Sequence, residues 1–177
     1  LEETIITQEN ESAEERTLER EDVVLPISMG VLLERVYNHL WEREQGRHSD
    51  KPEQWVMWRE RTECLALKMD GVRESFSLNK TCGLVGGKKA ISRLLSLGVL
   101  RQDTPETWLR FATHLTQLYF AAAFLKPYLS QAACHHEARQ HIKHTSPDFR
   151  QRLLEILSHI SNVNPYPIFQ EVNNESV

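Results

Sequence analysis

A chain of 177 residues, 40% hydrophobic and 26% charged, is long enough to enclose one sizeable core and too short to expect a second domain. Seven glycines and seven prolines leave little material for a turn-rich β fold, so composition favours helices. The net charge of −4 is uneven: residues 1–22 hold nine acidic residues against Arg16 and Arg20, a net −7, which leaves +3 for the remainder, too weak a positive balance to indicate a nucleic-acid surface.

Those first 22 residues are polar, acidic and without sustained periodicity, and read as a disordered arm. They lack the basic start and apolar run of a secretory signal, and Leu1 in place of a start methionine suggests a piece cut from a longer protein. The body is expected from residue 23 onward as one helical domain. Leu33, Val36, Tyr37, Leu40 and Trp41 recur at three-to-four spacing and predict a first amphipathic helix ending at Gly46.

Pro52-Glu53 opens a second helix, because proline in a first turn sacrifices no needed hydrogen bond and glutamate favours the positive end of the dipole. Trp55, Trp58, Leu65 and Met69 keep one of its faces apolar up to Gly71. Residues Val72 to Gly87 mix small polar residues with isolated apolar ones and read as the longest irregular connection. A short helix is expected from Lys88 to about Leu97, with Ile91, Leu94 and Leu95 inward and Gly98 at its end.

Thr104-Pro105-Glu106 has the form of a helix start, and the segment from Pro105 to Leu125 is expected to be a central helix, hydrophobic nearly all round between Leu115 and Leu125. Arg110, His114, Thr116 and Gln117 interrupt it too often for a membrane span. Pro127 should kink or end this helix near Lys126, with a further helix through Ala132, Ala133 and Ala138 toward His144. Ser146-Pro147-Asp148 starts the last expected helix, carrying Phe149, Leu153, Leu154, Leu157 and Ile160 inward. Pro165 and Pro167 predict an extended tail docked through Tyr166, Ile168 and Phe169. The expected fold class is therefore all-α, a globular bundle of five or six helices around a central hydrophobic helix, with the tryptophans Trp41, Trp55, Trp58 and Trp108 in or at its core.

Chemistry-bearing patterns are incomplete. Cys134, His135, His136, Glu137, His141 and His144 crowd ligand-type side chains together, but His136 and His141 stand five apart and the His-Glu-x-x-His pattern is absent, so the expectation is a solvent-facing helix end with no metal. Gly83-Leu84-Val85-Gly86-Gly87-Lys88-Lys89 resembles a phosphate loop, yet Cys82 stands where the first glycine belongs and Lys89 where the magnesium-binding hydroxyl belongs. No serine or cysteine lies in a nucleophile motif, and no cofactor is expected. Three scattered cysteines, Cys64, Cys82 and Cys134, argue against a disulfide framework and for the cytosol or nucleus.

One short pattern has a mechanism for binding. Glu19-Arg20-Glu21-Asp22 followed by Val24-Leu25-Pro26-Ile27 resembles the SUMO-interacting motif, in which an apolar strand adds to a sheet edge while flanking acids meet basic side chains. The resemblance implies partner binding through Glu19, Glu21, Asp22, Val24, Leu25 and Ile27 to a SUMO-like or other basic protein surface. The competing reading has Val23 to Ile27 covering the core ahead of the first helix, as a hydrophobic staple does. The chain thus reads as a non-catalytic adaptor or scaffold domain. The alternatives are an α-solenoid fragment of a nuclear assembly with nucleic-acid contacts, and a metal protein using the histidine-rich segment.

Overall fold

The computed structural model describes residues 28–69, 75–103 and 107–175. Among these, eight α-helices and a three-stranded antiparallel sheet alternate along the chain. Helix α1 (Met29–Arg47) is capped by Ser28, whose hydroxyl accepts from the Val31 amide, and α2 (Pro52–Lys68) starts on its proline as expected. The supposed irregular connection holds strand β1 (Phe76–Ser77) and helix α3 (Leu78–Val85), the latter capped by Ser77. Gly86, with φ of +108°, ends α3 in a left-handed turn, and an added Cβ there would lie 3.0 Å from the Trp58 ring. Helix α4 (Lys88–Ser96) follows, with Ile91 and Leu94 buried and Leu95 half-buried.

Trp108–Phe111, expected inside the central helix, is strand β3, paired antiparallel with β2 (Leu100–Asp103) on one side and β1 on the other. Residues 108–111 alternate, with Leu109 and Phe111 buried and Trp108 and Arg110 outward, which is the period of a strand. A proline-cap signal also suits the end of a strand, and here the two-residue alternation prevails over it. The fold is mostly helical, with a small sheet that the all-α expectation omitted and eight helices in place of five or six.

Helix α5 (His114–Leu129) is capped by Thr113, not Thr104, and passes through Pro127 to end two residues later. A proline near a helix end forfeits one hydrogen bond that the last turn can spare, so the helix neither stops nor restarts there. Leu118, Tyr119, Phe120, Ala121, Ala122, Leu125 and Leu129 are all buried, and α5 packs against α2, α1, α6 (His135–Lys143) and α7 (Pro147–Ile160). A single 3-10 turn, Ala132–Cys134, joins α5 to α6.

The extended tail is also corrected, because Tyr166–Glu175 forms helix α8. Asn164 accepts from the Tyr166 amide, and Pro167 lies in the first turn, where its missing N–H costs nothing. Ile168, Phe169 and Val172 recur at helical spacing and are buried, while Tyr166, expected to dock, is 49% exposed. An Arg139–Glu171 ion pair ties α8 to α6. The buried apolar side chains form one connected cluster running through the helices and the sheet. No helix of the described residues is long and apolar enough to cross a membrane.

Leu125 has no exposed surface and lies in the middle of that cluster, whereas Leu32 is 43% exposed. Leu125→Ala should therefore lose about 2–5 kcal/mol in urea denaturation, against less than about 0.5 kcal/mol for Leu32→Ala. Equal losses at the two sites would contradict this placement of the core.

Candidate functional site

An apolar concavity of about 560 Å³ lies where α2, α3 and the sheet meet. Helix α2 contributes Arg61, Cys64, Leu65 and Lys68, spaced so that they share one flank of the helix. Helix α3 presents Lys80, Thr81 and Leu84, and the sheet supplies Phe76 and Trp108. Leu65 and Phe76 are buried at its floor, while Leu84 and Trp108 remain 45% and 39% exposed. Large apolar side chains left exposed beside one another are a feature of binding surfaces.

Among the described residues the charges that line this groove have one sign: Arg61, Lys68 and Lys80 do, and no carboxylate or histidine does. Its hydroxyls are already committed: Ser75 donates to Asp103 at 2.7 Å, Thr81 donates to the Ser77 carbonyl at 2.9 Å, and Ser77 caps α3. What the groove offers a ligand is an apolar floor and a cationic rim.

A second cleft, about 370 Å³, lies between α1 and α2 and is organised by Arg59. Its guanidinium donates to Glu63 at 2.9 Å, Asn38 at 2.8 Å and Tyr119 at 3.3 Å, and sits 5.8 Å from the Trp41 ring centre. Burial pushes the Glu63 carboxyl up, against the opposing pull of Arg59, and pushes the Tyr119 phenol up to about 12. Tyr37 stacks on Tyr119, and its hydroxyl lies 2.7 Å from that of Thr116. The guanidinium and its partners satisfy one another, which is the pattern of a structural network holding α1 and α2 against α5.

Apart from Leu84 of the glycine-rich stretch, which lines the groove, the other sequence candidates lie within the fold's own contacts or outside the described residues. The glycine-rich stretch spans the end of α3 and the start of α4, and Lys89 is drawn away from any phosphate position into an ion pair with Asp50. Arg93 donates to the same carboxylate at 3.0 Å. In the histidine-rich segment, His141 packs edge-on against Phe124 and Tyr128, and the His135 ring lies 3.1 Å from the Leu129 carbonyl. Burial and the nearby Lys68 charge hold the His141 pKa below its ordinary value. Among the described residues no three His, Cys, Asp or Glu side chains converge as a metal site. Glu19, Glu21, Asp22, Val24, Leu25 and Ile27 lie outside the described residues. The sequence reading missed the groove, although isolated Phe76 and Leu84 amid polar residues, and Trp108 beside Arg110, were its available signals.

Compared with family models, curated proteins and solved structures, the chain matches none.

Two covered carboxylates make the fold acid-sensitive. Hydrogen bonding from Lys89, opposed by burial and aided by Arg93, holds Asp50 below its ordinary 3.8. For Glu44, burial acts upward, but hydrogen bonds from Ser96, Arg47 and His48 together with the Arg47 charge outweigh it and leave the carboxyl below 4.5. A carboxyl whose pKa falls on folding contributes stability that is complete above its unfolded value and is lost as pH drops through the folded one. Asp50→Asn should therefore lower Tm by a few degrees at neutral pH, with the gap to the parent chain closing as pH falls below 3.8. A gap that stayed constant from neutral pH to pH values well below this would refute the ion-pair account.

Proposed function

We propose that this chain is a non-catalytic protein-interaction module, an adaptor or scaffold domain, whose groove between α2, α3 and the sheet receives an apolar segment flanked by acidic residues. The observation that carries this reading is the combination of the exposed Leu84 and Trp108 with a rim of Arg61, Lys68 and Lys80 and no carboxylate among the described lining residues. An apolar floor supplies affinity through burial at about 25 cal/mol per Å², and rim charges select partners by sign and speed their encounter. Catalysis finds less support here. Cys64 lines the groove without a histidine beside it, and the hydroxyls are occupied within the fold.

A nucleic-acid role would need phosphate contacts, whose affinity falls steeply with salt. Three rim cations on an apolar floor support a protein ligand with shallower salt dependence. The acidic junction Glu19, Glu21, Asp22, Val24, Leu25 and Ile27 stands as a second contact, offered to a SUMO-like or other basic surface. A cytosolic or nuclear setting goes with the same reading.

The test begins with affinity purification and mass spectrometry, followed by titration of a purified partner. Leu84 and Lys80 are both exposed, so Leu84→Asp with Lys80→Glu should leave Tm within about 2 °C of the parent chain. Partner affinity should fall roughly tenfold or more, which is about 1.4 kcal/mol or more. Undiminished binding by this folded variant would exclude the groove.

A further inference from the structure

We propose that the groove has an occupant within the same chain: the acidic arm, with Ile5 and Ile6 on the apolar floor and Glu2, Glu3, Glu9 and Glu11 against Arg61, Lys68 and Lys80. This rests on reading the groove as a docking surface, and it adds regulation to that site, because a partner must displace the arm.

Charge is the first argument. The arm carries a net −7, and the three rim cations are exposed and in no ion pair among the described residues. Chemistry is the second. Ile5 and Ile6 form a short apolar pair bracketed by acids, the complement of an apolar floor bracketed by cations.

Reach is the third. The described chain begins at Ser28, so about 22 residues separate Ile6 from the start of α1, a length of chain that reaches at most roughly 75 Å when fully extended. A body of about 150 residues has a radius of gyration near 15 Å, so the arm spans the neighbouring surface. The Val23–Ile27 stretch, limited to about 17 Å from Ser28, has less range. Tethering sets the arm's effective concentration on the order of millimolar, so docking as weak as a millimolar dissociation constant already covers about half of the grooves.

The experiment is zero-length carbodiimide cross-linking of the intact chain at low salt, with peptide mass spectrometry of the monomer-sized product. Glu2, Glu3, Glu9 and Glu11 should link to Lys68 and Lys80 in preference to the exposed Lys51, Lys88 and Lys143. Ile5→Ser with Ile6→Ser should remove that preference and, in the partner titration, tighten binding about two- to tenfold. Even linking to all lysines, links unchanged by the serine variant, or links confined to dimer-sized product would each overturn the proposal; the last would assign the groove to a second copy. The two readings fail separately. If the Leu84→Asp, Lys80→Glu variant loses the partner while the serine variant gains nothing, the arm proposal falls and the docking groove stands. If the selective cross-links are present but the groove variant keeps its partner, the arm stays in place and the groove loses its role as the partner site.

Discussion

The larger helices of the described fold are arranged around α5. Its middle is apolar on nearly every side, and each fully buried Leu or Phe on it is worth about 1.5–3 kcal/mol relative to exposure. Helices α1, α2, α6 and α7 therefore lie around it, each giving up one face. The few polar groups that this enclosure traps must be satisfied internally. Thr116 meets Tyr37 and Thr113, and Tyr119 meets Arg59. The groove follows from the same constraint. Helix α2 spends Trp55, Trp58, Thr62 and Ala66 on the interior, so its flank bearing Arg61, Cys64 and Lys68 is left to face α3 and the sheet. Those smaller elements cover Leu65 and Phe76 but leave Leu84 and Trp108 in the open.

Around this core a second tie sets the position of the α1–α2 connection. Asp50 receives Lys89 and Arg93 from α4, and Glu44 near the end of α1 receives Ser96 from the same helix as well as its neighbours Arg47 and His48. Each carboxylate gives up its hydration, and each recovers it through several charged or hydroxyl donors at once, the condition under which covered ion pairs hold a structure in one arrangement. The glycine-rich approach to α4 thereby acquires a structural explanation. Gly86 permits the left-handed turn against Trp58, and Lys89 is directed to Asp50.

The helices with an unambiguous start or stripe were legible from the residues: Pro52 for α2, Ser146-Pro147 for α7, and the all-round hydrophobicity of α5. Misreadings cluster where one local signal competes with another. Thr104-Pro105 has the chemistry of a helix start, but Trp108–Phe111 has the period of a strand, and pairing on both sides decides for the strand. Pro165 and Pro167 look like helix breakers, yet a proline is harmless in a first turn, and Ile168, Phe169 and Val172 gain a buried face by coiling. The groove was harder still. Its members come from three separate stretches, α2, β1 with α3, and β3, and a short apolar residue amid polar ones has the same appearance in sequence whether it is covered or exposed. Only the packing distinguishes Phe76, which is buried, from Leu84, which is not.

The central claim, that the basic-rimmed groove is where this chain meets its partner, is tested most directly by mapping amide chemical shifts of the intact labelled chain as the purified partner is added. The largest changes should gather on Arg61, Cys64, Lys68, Lys80, Leu84 and the Trp108 indole, with the far surface of α6 and α8 unmoved. Changes concentrated on α6 and α8, with the groove signals still, would contradict it.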